Sequence, residues 1–471
     1  MGRCLPRLYP AAAHALLALV LRVAPARAQL GYINSGAGAI GRVLPTTATG
    51  IDATGAIYWN PASITGLQRS ELAFGVDMIF PQTRLDSTYQ AGAIPPGLPF
   101  TTQSGSTWAD NGVFPLPFGG LVYKPDNDSP WTFGLGIFSV GGLSVNYPAS
   151  TTNPILTAQP PNGLGVGSLY SQLIVLEINP VVSYQLTDHL SVGIGPAIGL
   201  ASLKVDPAVI TSPDTVSGFA VYPNGTHTPF IWGGGFNAGL FYTLEQGWRF
   251  GASIKSPRWF APERFQSQTP TGQPRSFSFR ADVPMIASAG IAYAGFPRWL
   301  FAIDTHYIDY TNTNATSGTG FNSAGAVTGI GWRSIWAIAT GVQYQVTDGL
   351  TLRLGYNWNQ NPIDGARTFF NIASPTITQN TIQVGATYQL NEDISLSAAY
   401  AHAFQHSING PLFLPSGSSV PGTSITSTAS GELFVFGVTV RFGRPRGSVR
   451  TPTIPDEESV QNPSNGQPAI Q

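Results

Sequence analysis

The chain has 471 residues, of which only 10% are charged and 11% are aromatic, with 54 glycines and 39 prolines. An ordinary soluble domain carries about 25% charged residues, so this composition is poorly suited to covering a large surface in water. The first 28 residues contain four of the 23 basic residues and none of the 24 acidic ones, so the remainder has a net charge of −5 and no basic block. This charge balance argues against nucleic acid as a partner.

The N-terminus has the pattern of an export signal. Two arginines precede a short apolar run, residues 11–21, and the small-residue cleavage site Ala26-Arg27-Ala28. The run is shorter than the ~20 residues that a membrane-spanning helix needs. We therefore expect residues 1–28 to be a cleaved signal peptide and Gln29 to begin the mature chain. The one cysteine, Cys4, lies inside this signal, which excludes disulfides, thiol catalysis and cysteine-based zinc sites from the mature chain.

The next segment, residues 29–70, is rich in glycine and alanine and has no period-two pattern. We predict that it forms a compact plug inside the lumen of a larger structure. Its Gly36-x-Gly38-x-x-Gly41 run has the spacing of a dinucleotide-binding loop, but that loop needs a preceding strand. A signal sequence ends a few residues upstream, so we expect no cofactor, and the glycines are better explained as tight turns.

Strict alternation of apolar and small or polar residues follows, and it is clearest in residues 349–360 and 434–442. In the first of these, Leu352, Leu354 and Tyr356 share one face, opposite Arg353. Alternation with a period of two is typical of a half-buried strand. An isolated strand does not show which face is inside, but the low charge content favours bulky side chains that point outward into lipid.

The strand candidates are about fourteen in number, and long polar connections alternate with short turns between them. The predicted strands are 71–80, 117–124, 131–145, 170–185, 188–203, 229–243, 247–256, 281–294, 298–311, 330–346, 349–360, 376–390, 394–406 and 431–442. This alternation is typical of outer-membrane barrels. We predict an all-β fold, a transmembrane antiparallel up-and-down β-barrel over residues 71–442, in contact with outer-membrane lipid and lipopolysaccharide. Residues 443–471 are polar and proline-rich, which predicts a disordered periplasmic tail.

Several motifs carry a resemblance to a known family. They are Ser35–Gly41, the run Asp52–Ala62 with its Asn60-Pro61-Ala62 triplet, and, in the late strands, Leu352–Asn357, Asn361-Pro362-Ile363 and Gly385–Tyr388. Together they resemble the FadL/TodX-type outer-membrane transporters (OMPP1/FadL/TodX family). The resemblance implies a fourteen-stranded barrel with an N-terminal hatch that plugs the lumen. It also implies passive import of long-chain fatty acids or, in some members, aromatic hydrocarbons, through hatch movement and a sideways opening beside a kinked third strand.

Two candidate sites follow from the fold and the resemblance. Asn60, Pro61 and Ala62 are candidates for a hatch turn that shapes the substrate path, and the alternative is a plain Asn-Pro turn. In the third strand the alternation is lost just before Gly141 and Gly142, which predicts a bulge. These two glycines are candidates for the lateral-opening kink, with ordinary strand irregularity as the alternative.

Two further candidates are side chains that could contact a ligand. Arg353 and Arg441 alternate onto the predicted luminal faces, where a guanidinium suits a fatty-acid carboxylate. The alternative is that these charges pair with one another or with the hatch. Trp259 and Phe260 lie in an aromatic stretch between strands, where they would form part of an external capture groove, or else pack within a loop or an interfacial girdle.

These features predict a monomeric outer-membrane protein for passive uptake of hydrophobic small molecules, with long-chain fatty acids as the leading ligands. Uptake of aromatic hydrocarbons is the alternative, and a general aqueous porin is a weaker one because the inner faces are glycine-rich and plugged. We expect no enzymatic activity, metal or cofactor, since the sequence lacks G-x-S-x-G, H-E-x-x-H and P-loop patterns.

Overall fold

The barrel is the main body of the computed structural model, which describes residues 43–125, 129–225, 229–269 and 271–443. Within these ranges, fourteen antiparallel strands each pair with their sequence neighbours, and the last pairs with the first to close the barrel. The strands are β1 Ser70–Tyr89, β2 Phe114–Tyr123, β3 Trp131–Tyr147, β4 Leu169–Gln185, β5 Leu190–Asp206, β6 Ile231–Thr243, β7 Trp248–Lys255, β8 Met285–Tyr293, β9 Trp299–Asp309, β10 Ile335–Gln345, β11 Leu350–Asn359, β12 Asn380–Gln389, β13 Ile394–Phe413 and β14 Ser419–Phe442.

Some predictions fall outside the described residues. These are the signal peptide over 1–28, the first part of the plug over 29–42 with its glycine motif, and the tail from 444 onward. Among the described residues, no helix is long and apolar enough to cross a membrane.

The outward direction of the bulky side chains is confirmed. Leu352 and Leu354 are 45% and 49% exposed, whereas Arg353 between them is 8% exposed. The same alternation leaves Phe434 and Phe436 exposed on β14 and buries Leu433 and Val435. An apolar outer wall is favourable in hydrocarbon, where all backbone groups of a closed barrel pair with each other.

The prediction that residues 407–430 form a polar loop is wrong. They continue the β13–β14 hairpin, with register shifts between Ala403 and His406 and between Gly410 and Leu412. β1 likewise runs on to Tyr89 instead of ending at residue 80. The extension is rich in serine and threonine, so it lacks the apolar face by which a membrane strand is recognised. The extended part of β14 pairs with β1, and β1 in turn pairs with a short strand, Gln103–Trp108.

Short turns join the strands at one end of the barrel, as predicted, and by the general rule this end faces the periplasm. At the other end six connections are long segments, and the β13–β14 turn over residues 414–418 is short. The long segments have structure of their own. It comprises three hairpins, Asp214–Val216 with Phe219–Val221, Glu263–Gln268 with Pro274–Phe279 and Thr319–Phe321 with Val327–Ile330, the strand Trp259–Phe260, and the 3₁₀ helices Pro154–Leu156 and Gly365–Asn371.

Residues 43–67 lie inside the bore, and we call them the plug. Helix α1, Ala53–Trp59, begins at Asp52, whose carboxylate accepts a hydrogen bond from the Gly55 N–H at 2.9 Å. Asn60 ends α1 and caps a second, 3₁₀ helix, Pro61–Gly66. Proline suits this first helical position because it has no N–H to leave unpaired. Every residue of α1 is buried, so the lumen is filled by protein at this level.

Candidate functional site

The wall of the barrel is interrupted beside β3. β2 and β3 pair only as far as Phe118 opposite Phe138, although β3 continues to Tyr147. On its other side β3 shifts register against β4 between Ser139 and Gly141. The bulge predicted from the loss of alternation is therefore present, and Gly141 and Gly142 directly follow it. The bulged residue, Val140, is buried.

A second interruption, between β4 and β5, was not predicted. The pairing stops at Ile178 opposite Ile198 and resumes at Val182 opposite Ile194. Pro180 and Pro196 lie in the unpaired stretch, and proline cannot donate to a strand ladder. The signal was present in the sequence as two prolines inside alternating segments. β4 thus lacks ladder partners near its middle on the β5 side, while on the β3 side its pairing continues past the bulge.

The Asn60-Pro61-Ala62 triplet fixes the plug to the barrel wall. The Asn60 side-chain amide donates to the carbonyl oxygens of Thr47 and Leu240, both at 2.8 Å. Ser183 of β4 donates to the Pro61 carbonyl at 2.5 Å. The triplet is therefore a turn that also docks the plug on the barrel wall, and its role in shaping the substrate path stays a prediction.

Glycines on the inner wall permit this close approach. A Cβ at Gly239 would collide with the Asn60 side-chain oxygen, and one at Gly193 would collide with the Ala62 backbone. The glycine-rich inner faces of β5 and β6 are thus explained by contact with the plug.

Carboxylates of the barrel accept hydrogen bonds from plug backbone. Glu71 accepts from the Ala53 N–H at 2.8 Å, and Asp304 accepts from the Thr47 N–H at 2.9 Å. Burial raises the pKa of Asp52, the cap of α1, above its ordinary value, against the opposing effect of the Gly55 N–H, the Thr54 hydroxyl and nearby arginines. The plug thus sits among acidic groups that bind its free N–H donors.

Arg353 and Arg441 both point into the bore, as the alternation predicted, and both have protein partners. Arg353 donates to Gln343 at 2.8 Å and to Thr387 at 2.7 Å. The Arg441 Nε lies 3.4 Å from a carboxylate oxygen of Glu71. These contacts agree with the alternative in which luminal charges pair within the barrel or with the plug.

Trp259 and Phe260 do not lie together in a groove. They form a two-residue strand that pairs with β6. Successive side chains of a strand point to opposite faces, so Trp259 and Phe260 lie on opposite sides of the wall. Trp259 is 48% exposed, and Phe260 is 2% exposed and packs over Gly199 and Gly233 inside. The prediction of a surface groove built from both residues is therefore wrong, because the strand pairing separates them.

An apolar pocket of about 170 Å³ lies toward the long loops. It was not predicted, because its residues come from six separate parts of the chain. Its lining is Val166, Leu169, Ser171, Leu173, Leu203, Val205, Val209, Ile210, Tyr222, Phe279, Ala281, Asp282, Ala315, Thr316, Phe321, Val327, Ile330, Trp332, Phe369, Phe370, Ile372, Ala373 and Ser374. None of these described lining residues is Lys, Arg or His.

The one carboxylate in this lining is already compensated. Asp282 accepts hydrogen bonds from the Phe260 N–H at 2.8 Å and from the Asn314 amide at 2.5 Å. It also forms an ion pair with Arg280 at 3.2 Å. The pocket is therefore electrically neutral toward a ligand. Across the residues that the structure describes, no group of three or more His, Cys, Asp or Glu is placed to hold a metal ion.

Comparison with known proteins indicates the family of the chain. Residues 17–443 match the family model for outer membrane protein transport protein (OMPP1/FadL/TodX). The long-chain fatty acid transport protein of Escherichia coli K12 is 24% identical over 81% of this chain and 87% of its own length. A 47 kDa outer membrane protein of Pasteurella multocida is 33% identical, but over only 22% of each chain.

The fold agrees with the same family. The crystal structure of the Pseudomonas putida toluene transporter TodX superposes with a TM-score of 0.62 at 18% identity, covering 87% of this chain and 100% of TodX. The closed fourteen-stranded barrel and the extent of the family match lead to one assignment: the chain belongs to the OMPP1/FadL/TodX family of outer-membrane transport proteins.

Proposed function

We propose that the protein takes up small hydrophobic compounds passively across the outer membrane, and that the apolar pocket binds them on the way. The pocket is the observation that carries this proposal. It lies in the bore above the plug, and its lining is mostly aliphatic and aromatic. Such a cavity removes an apolar molecule from water without leaving charged groups unpaired.

The pocket favours an uncharged hydrocarbon over a fatty acid, which reverses the order of preference drawn from the sequence. A carboxylate transferred into an apolar site needs a charge-assisted partner. The described lining offers no basic group, and Arg353 and Arg441 bind other residues. Six aromatic side chains supply surfaces for an aromatic ring: Tyr222, Phe279, Phe321, Trp332, Phe369 and Phe370.

Long-chain fatty acids remain the second candidate. The Escherichia coli relative that aligns with most of the chain carries that name. In addition, the Ser374 hydroxyl is buried in the pocket wall and has no hydrogen-bond partner among the described residues. It is one donor that a carboxylic acid could use.

The gap beside β3 is the exit that we propose for the ligand. The plug fills the bore below the pocket, so a straight path to the periplasm requires the plug to leave. A sideways path needs an opening in the wall, and β3 lacks strand pairing with β2 beyond Phe138. In this proposal Gly141 and Gly142 mark the opening, and the Asn60 triplet holds the plug beside it.

The test is direct binding to the detergent-purified protein, with radiolabelled toluene and radiolabelled oleate as the two probes. Leu203→Trp fills the pocket, and Leu354→Trp makes the same change on the lipid-facing wall as a control. We expect toluene to bind and Leu203→Trp to abolish binding, while the control binds normally. Oleate binding without toluene binding would reverse the preferred ligand. If Leu203→Trp leaves the binding of both probes unchanged, the pocket is not the binding site.

A further inference from the structure

A buried lysine of the barrel lies against two aromatic rings of the plug. The Lys255 Nζ is 3.0 Å from the ring centre of Tyr58 and 4.6 Å from that of Trp59. Lys255 is 5% exposed, and its ammonium has no hydrogen-bond partner among the described residues. Burying a charge without a compensating partner is strongly unfavourable. The aromatic faces are therefore the groups in direct contact with the ammonium, and a cation–π contact is strongest when it is desolvated, as here.

The carboxylate that attracts Lys255, Glu177, has its direct contacts elsewhere. Glu177 of β4 forms an ion pair with Arg258 at 3.1 Å, and both side chains are almost fully buried. Arg258 also donates to Asn237 at 2.6 Å. Glu177 and Lys255 attract each other, but the directional contacts of Glu177 go to Arg258 and Asn179. Lys255 is thus left to the two rings of the plug.

The same two rings contact the wall on their other sides. Trp59 stacks on His306 of β9 with ring centres 4.3 Å apart, and its carbonyl accepts from Ser253 at 2.5 Å. Tyr58 packs edge-on against Phe138 at 5.2 Å. Phe138 is the last residue of β3 that pairs with β2 before the gap. Tyr58 therefore connects Lys255 with the residue at the edge of the wall interruption.

We propose that Lys255 is the positioning residue that latches the plug: its ammonium holds Tyr58 and Trp59 by cation–π contact and, through Tyr58, keeps Phe138 at the edge of the gap in its closed position. This inference deepens the proposed uptake function, on which it rests for its meaning in transport. The contact between Lys255 and the plug does not involve a ligand, so it is measurable in the ligand-free protein.

The experiment measures how often the plug becomes accessible. The chain has one cysteine, Cys4, so a Cys4→Ser, Ser63→Cys background carries a single thiol in the plug. Ser63 is fully buried, and the change alters little in size. Labelling of this thiol by a small charged methanethiosulfonate reagent is followed in purified protein without ligand.

In that background, Lys255→Met removes the charge and keeps the chain length, and we expect labelling to be about ten-fold faster. Lys255→Arg keeps a cation over the rings and should label at close to the background rate. Lys204→Met is the matched control, because Lys204 lies 6.0 Å from the ring of Tyr170, away from the plug. Unchanged labelling in a folded Lys255→Met protein would overturn the latch.

The aromatic side of the contact gives a second test in case Lys255→Met does not assemble. Tyr58→Leu should accelerate labelling as Lys255→Met does, while Tyr58→Phe, which keeps the ring face, should not. The double variant Lys255→Met, Tyr58→Leu should label more slowly than the product of the two single accelerations predicts, since both changes remove the contact between Lys255 and Tyr58. Additive acceleration would contradict a direct contact. Toluene flux into proteoliposomes is a separate measurement: its absence would count against the uptake function and leave the labelling result standing.

Discussion

Both halves of the bore have apolar contacts, and they differ in how many polar groups the wall directs inward. Around the plug, the wall supplies hydrogen bonds and charges from Glu71, Asp304 and Ser183, and its Leu240 carbonyl accepts from Asn60 of the plug. Around the pocket, the lining is apolar and its one carboxylate is compensated. Hydrogen bonds depend on direction and fix one arrangement, whereas apolar contacts do not. One half of the bore therefore holds a defined segment of its own chain, and the other half suits ligands of varied shape.

The largest effect is expected from tying the plug to the wall. The Thr65 hydroxyl lies 2.9 Å from the Ser191 hydroxyl of β5. In a Thr65→Cys, Ser191→Cys variant the two thiols should form a disulfide that prevents the plug from moving. We expect toluene uptake into proteoliposomes to be abolished when the protein is oxidised and restored by a reductant. Each single cysteine variant is the control, and uptake by the oxidised protein at the normal rate would show that the plug need not move.

The next largest effect is expected from removing the bulge at the wall gap, because a bulge bends its strand and β3 stops pairing with β2 at this point. Deleting Val140 removes the extra residue at the register shift, so β3 can pair continuously with β4. We expect uptake to fall about ten-fold while the barrel still assembles. Val140→Ala keeps the bulge and serves as the control. Normal uptake by a folded deletion variant would place the exit elsewhere.

A smaller effect is expected from loosening the plug at its docking triplet. Asn60→Ala leaves the buried carbonyls of Thr47 and Leu240 without their donor. We expect the plug to lose about 1–3 kcal/mol of stability relative to the barrel. Hydrogen–deuterium exchange should rise in α1 and stay unchanged in β10–β12. Equal exchange of α1 in the wild-type protein and in Asn60→Ala would mean that the triplet is only a turn.

The smallest effect is expected from Arg353→Leu, which distinguishes the two halves of the bore directly. Arg353 binds Gln343 and Thr387 beside the plug and does not line the pocket. We therefore expect oleate and toluene binding to change by less than about two-fold, and equally. A selective loss of oleate binding would restore Arg353 as a carboxylate partner.

Much of the wall was predictable because the information is local. Alternation along residues 349–360 is enough to place Leu352 and Leu354 outside and Arg353 inside, and the loss of alternation before Gly141 revealed the bulge. The extended β13–β14 hairpin was missed because its outward residues, such as Ser407 and Asn409, are polar, although Ile408, Leu412, Val420 and Ile425 are buried. Trp259 and Phe260 were placed on one surface because their pairing with β6 has no signature in their own sequence.

By itself the sequence determined the antiparallel barrel, its lipid-facing side and the plug inside it. The period of two is a pattern among neighbouring residues, and the low charge content follows from composition alone. The tertiary structure alone decided what meets within the bore. Thr47 binds Asp304 across 257 positions, and Asn60 binds Leu240 across 180. Such contacts depend on the register of many strands around a closed wall. The neutral pocket and the Lys255 contact with Tyr58 arise in the same way, from strands that only closure brings together.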